Sequence, residues 1–112
     1  MDLKEKLLKV GGLKSVLIKI QGVEVLIQEM TGADRDAIIK ASTHRNKLDG
    51  DKWAQNLIMF AVRDPQTKER LFTADDLTEL KGKSWQLLNS IEEAVLSVNG
   101  LGEAELEAAE KN

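Results

Sequence analysis

From Ser15 onward apolar and polar positions alternate: Val16, Ile18 and Ile20 with Leu17 and Lys19, then, past Gln21-Gly22, Val23, Val25 and Ile27 with Glu24, Leu26 and Gln28. A period of two is that of a half-buried strand, and two such runs flanking a glycine-containing pair predict a β-hairpin. Gly22 takes positive φ without a steric penalty. Gln21 suits the first turn position less well than Asn or Asp, so the turn type stays open. Leu17 and Leu26 place apolar side chains on the second face as well. Because an isolated hairpin is marginal in water, this predicts one face covered by helices of this chain and the other by another protein.

After the hairpin the period changes to three and four. Thr31, with Asp34 three residues on, forms a near capping box and predicts a helix that carries Ala37, Ile38 and Ala41 inward. Lys47-Leu48-Asp49-Gly50 reads as a polar turn, and Asp51 as the cap of a strongly apolar helix through Trp53, Leu57, Phe60 and Ala61. Pro65 ends it, since proline cannot continue a helix and biases Asp64 away from helical geometry. Arg70-Leu71-Phe72 reads as a brief extended piece. Thr73 then caps a short helix to about Lys81, with Asp75 and Asp76 where the helix dipole favours them. Past Gly82 a longer helix over roughly 84–99 presents Trp85, Leu88, Ile91, Val95 and Val98. Residues 1–12 read as a short helical or frayed lead-in broken by Gly11-Gly12. The acidic, alanine-rich tail from Leu101 holds only Leu101 and Leu106 as large apolar residues, and reads either as a terminal helix or as a segment ordering on a partner. The fold class predicted is α+β: an N-terminal β-hairpin followed by a small helical bundle of about four helices, as one domain over 1–112 with the order of 1–12 and 101–112 left open.

Composition narrows the chemistry. The 112 residues are 42% hydrophobic and 31% charged, enough to fold as one domain, and the formal charge of −3 argues against phosphate-driven binding of bulk nucleic acid. The absence of cysteine removes disulfides, thiol catalysis and thiolate metal sites. The longest apolar runs, such as Val16-Leu17-Ile18, are too short to span a bilayer, and the start of the chain does not resemble a signal peptide, so export and membrane roles are not expected. Gly82-Lys83-Ser84 ends like a phosphate loop, but that loop needs glycine at position 77, where Leu stands. Asp49-Gly50-Asp51 lacks the ligand spacing of a calcium loop. Asp75-Asp76 and Glu92-Glu93 are adjacent pairs that point apart on a helix, which suits capping and solvation rather than acid–base work. His44, the single histidine, stands near a predicted helix end, with no companion for a metal site or a triad. No catalytic, cofactor or metal residue is therefore assigned. Trp53 and Trp85 read as core anchors, with an interface anchor as the other role open to one of them.

One order of segments resembles a known family. The hairpin closes on Val25-Leu26-Ile27-Gln28-Glu29-Met30-Thr31, followed by Asp34-Arg35-Asp36 and a helix pair. Leu71-Phe72-Thr73-Ala74-Asp75-Asp76-Leu77 comes next, then a helix from Lys83-Ser84 that ends in Val98-Asn99-Gly100-Leu101. From about residue 14 onward this resembles the tail assembly chaperones of long-tailed, siphovirus-type bacteriophages and prophages. The resemblance implies a non-enzymatic protein of the host bacterial cytoplasm, absent from the mature virion. It would bind the helical tape-measure protein, keep it soluble and help recruit tail tube subunits, the latter through a frameshifted long form. Glu110-Lys111-Asn112 can be encoded by an adenine run of the kind on which ribosomes slip. A homo-oligomer with several copies along the tape measure is expected, neither nucleic acid nor membrane being a partner, and the partner-binding residues expected are Leu17, Leu26, Trp85, Leu101 and Leu106. Pairing between hairpin edges is one route to that oligomer, opposed by Lys19, Glu24 and Glu29.

Two other classes stand beside this reading. A minor tail or head–tail joining protein retained in the virion has the same size and fold class. A nucleic-acid-binding regulator would need a local basic face such as Lys40, Arg45 and Lys47.

Overall fold

The computed structural model describes residues 2–100. The first helix, α1 (Leu3–Val10), starts where the Asp2 carboxylate accepts the Glu5 N–H at 2.8 Å, with Lys9 in its last turn. Strands β1 (Ser15–Ile20) and β2 (Val23–Gln28) then form the antiparallel hairpin, pairing Val16 with Ile27, Ile18 with Val25 and Ile20 with Val23. Gln21 and Gly22 both hold positive φ, 49° and 85°, the signature of a type I′ turn whose twist matches the strands. Helix α2 (Gly32–Ala41) carries the full capping box: Asp34 N–H donates to Thr31 Oγ1, and Thr31 N–H donates to Asp34 Oδ2.

A second, smaller hairpin follows, with β3 (Thr43–His44) and β4 (Lys47–Leu48) joined by Arg45 and Asn46 at φ 51° and 65°. It is closed at its base by the Asp49 N–H, which donates to Ser42 O at 2.8 Å. Helix α3 (Gly50–Ala61) runs directly into β5 (Val62–Arg63), which pairs antiparallel with β2 and gives the sheet order β1-β2-β5. Arg70 bridges to Arg63, and Leu71 N–H donates to Val62 O, so the extended piece predicted at 70–72 lies along β5. Helices α4 (Ala74–Lys81) and α5 (Trp85–Val98) complete the described chain.

The core forms on one face of the sheet. Ile20, Val25, Ile27 and Val62 pack against Leu57, Ile58 and Ala61 of α3, Ile91 and Val95 of α5, Leu77 of α4 and Ile38 of α2. Two polar clamps fix the helices. Ser42, fully buried, donates to Ile38 O at 2.7 Å and accepts from Asn56 Nδ2 at 2.9 Å, tying the end of α2 to α3. Asn99 accepts the Met30 N–H at 2.8 Å and donates to Val95 O at 2.9 Å, tying the end of β2 to the end of α5.

The chain is thus α+β with an early hairpin, but several expectations need correction. The described residues hold five helices rather than about four, because the lead-in forms α1 ahead of the hairpin. Asp49, not Asp51, caps α3: its backbone is extended, and its carboxylate accepts the N–H groups of Asp51 and Lys52. The polar turn at 47–50 is half strand and half cap. Ala37 and Ala41 are exposed, leaving Ile38 as the buried position of α2. Trp53 is half-buried against the core, but Trp85 is 73% exposed and anchors nothing inside.

Candidate partner-binding surface

Exposed apolar side chains are unevenly distributed. Seven of the eleven large hydrophobics exposed among the described residues fall between Leu3 and Leu17. Every residue from Asp2 to Leu17 is exposed, and none of the residues of α1 is buried against the described body. On α1, Leu3, Leu7 and Val10 recur at four and three, which aligns them on one face. That arm leads into β1, whose only described strand partner is β2, so its outer edge carries unpaired backbone groups.

The three described residues among those expected to bind a partner, Leu17, Leu26 and Trp85, do not converge. Leu17 and Leu26 are cross-strand partners on the sheet face away from α5. Leu17 is 55% exposed, whereas Leu26, flanked by Arg63 on the next strand, is 7% exposed. Leu26 is therefore a buried position of this chain. Trp85 lies on the opposite layer, at the start of α5. Leu101 and Leu106 lie outside the described residues.

Two concavities matter more than that set. At the hairpin tip, a cleft of about 290 Å³ is lined by Ile20, Val23, Val62, Leu71, Phe72 and Leu87 among others, with exposed Val23 and Leu71 at its rim. It adjoins a hollow that includes Lys83 and Ser84, beside Trp85. The sequence offered one signal for this cleft, the extended Leu71-Phe72 pair. Between α3 and α5 lies a groove of about 200 Å³, lined by Trp53, Ala54, Leu57, Val95 and Leu96, with Glu92 in its wall. Burial pushes the Glu92 carboxyl above the ordinary glutamate value, and nearby Asp51 adds to the shift, against an opposing pull from Lys81.

Charge is also segregated. Residues 2–20 hold five lysines against Asp2 and Glu5, a net +3, whereas residues 21–100 hold ten basic against thirteen acidic side chains, a net −3. A second cationic feature went unread in the sequence: Arg63 of β5 and Arg70, paired with it through an isolated antiparallel bridge, place guanidiniums 5.2 and 5.1 Å from the Phe60 ring centroid. The cluster Lys40, Arg45 and Lys47 is divided between α2 and the small hairpin.

The motifs weighed for chemistry have structural places. Gly82 ends α4, Lys83 is exposed and Ser84 precedes α5. His44 is exposed on β3, three residues past the last residue of α2. Among the described residues no group of three or more His, Cys, Asp or Glu side chains is placed to hold a metal, and no helix is long and apolar enough to cross a membrane. No protein family, no curated protein and no solved structure matches the chain.

Proposed function

We propose that this chain is a non-enzymatic assembly chaperone of the kind its residues resemble, one that holds the helical tape-measure protein of a long-tailed phage in soluble form within the host bacterial cytoplasm and leaves before the virion matures. The observation that carries the reading is the apolar cleft at the hairpin tip. It is lined by Leu71-Phe72, part of the segment on which the resemblance rests, with Val23 and Leu71 exposed at its rim. A concave apolar site beside an exposed tryptophan suits an amphipathic helix laid into a groove, where apolar side chains at i, i+3 and i+4 provide the anchors. Contact with tail tube subunits belongs, in this proposal, to a frameshifted long form.

Co-expression with the tape-measure protein of the same gene cluster tests it, scoring soluble recovery and co-purification. Rescue by this chain, lost on Val23→Asp or Leu71→Asp while the variant itself stays folded, is the expected result. Absence of both complex and rescue overturns it, and recovery of the protein from purified virions favours a structural minor tail or head–tail joining role instead.

A further inference from the structure

The arm and the groove are complementary, and each lacks a partner among the described residues of its own copy. Helix α1 offers an apolar face of Leu3, Leu7 and Val10 on a scaffold bearing Lys4, Lys6 and Lys9. The α3/α5 groove offers an apolar floor of Ala54, Leu57 and Leu96, with Glu92 in its wall and both Asp51 and Lys81 near enough to act on the Glu92 carboxyl. A cavity of roughly 150 Å³ admits a benzene-sized group. The groove, at about 200 Å³, therefore has room for at least one leucine side chain.

We infer that α1 of one copy seats in the α3/α5 groove of a second copy, its leucines on the groove floor and its lysines against Glu92 and Asp51. Reciprocal exchange of the two arms gives a closed, two-fold dimer. Gly11-Gly12 lets the helix leave the body in the direction the exchange requires. The opposed charges of arm and body favour this occupant over an acidic or neutral helix and make the association sensitive to salt. The inference stands apart from the chaperone reading, since it concerns two copies of this chain alone and uses neither the cleft nor the tape measure.

The chain has no cysteine, which permits a clean cross-linking test. Full-length Leu7→Cys and Ala54→Cys variants are mixed and oxidised, and the products are separated by mass under denaturing conditions. A disulfide between the two different variants, together with a concentration-dependent dimer of the unmodified chain in sedimentation equilibrium, is expected. Leu7→Asp, at a site whose exposure spares the fold, should weaken that dimer at least tenfold, as should a rise in salt. A monomer at every concentration overturns the inference. So does a Leu7→Cys/Ala54→Cys double variant that closes only within one chain, and so does a dimer that ignores Leu7→Asp but is lost on Leu17→Lys, which places the contact at the β1 edge.

Discussion

Ser42 shows how much one small side chain can fix. Its hydroxyl is buried, donates to the α2 carbonyl of Ile38 and receives the Asn56 amide, so removing it leaves a half-buried donor without its acceptor. Ser42→Ala should cost about 1–3 kcal/mol in urea unfolding, the range for leaving a buried polar group unsatisfied. Glu92 has the opposite effect. Burial raises its carboxyl above the ordinary 4.5, so its ionisation opposes folding once the pH passes that value, and the penalty is complete above the raised value. Glu92→Gln should therefore raise the urea midpoint at pH 7 and leave it nearly unchanged at pH 3. An equal gain at both pH values would assign the effect to packing instead of charge.

At the scale of elements, the turns and caps carry most of what can be tested. Gln21 holds φ 49°, a region that asparagine tolerates better than glutamine. Gln21→Asn should stabilise the hairpin by roughly 0.5 kcal/mol, within the span of turn and propensity effects, seen as a raised melting temperature. The two capping boxes hold Asp34 and Asp76 below the ordinary 3.8, chiefly because each accepts the N–H of its own cap residue, with help from the cap hydroxyl and, for Asp34, from Arg70 and Arg63. A lowered carboxyl contributes stability that is present above the ordinary value and disappears as the pH falls through the depressed one. The melting temperature should accordingly fall as the pH drops below about 4, and an Asp34→Asn/Asp76→Asn double variant should flatten that fall. These boxes were also the clearest signals in the sequence, as was the hairpin, whose alternation and Gln21-Gly22 turn set the observed register. Strands β3, β4 and β5 were not legible, because two residues hold no period and β5 exists only through its long-range pairing with β2. Trp85 misled for a geometric reason. Six residues turn a helix by about 600°, which leaves Trp85 roughly 120° away from Ile91 although each step of three looks correct.

For the whole molecule, Ile27 is the junction. Fully buried, it pairs with Val16 and Val62 on its flanking strands and belongs to the cluster shared with α3, α4 and α5. Ile27→Ala should cost about 2–5 kcal/mol and shift the far-ultraviolet and tryptophan-fluorescence transitions together, whereas separate transitions would show that sheet and helices do not unfold as a unit. The candidate site was less legible than the fold at this scale. The cleft, the groove and the split of charge between arm and body come from placement in space, and single residues such as Leu17 or Leu26 do not announce which side of a three-stranded sheet will be covered. One further consequence follows from the hydrogen bonds at the end of the sheet. Glu29 N–H donates to Lys14 O and the next residue, Met30, donates to Asn99, so the base of the arm and the last described turn of α5 meet at the two residues that follow β2. With consecutive Cα atoms 3.8 Å apart, Lys14 and Asn99 stand within about 10 Å of each other. Whatever the arm grips is thereby held beside the point where α5 ends, and a second weak contact made from that pole would join it in one bivalent attachment at an effective concentration on the order of millimolar.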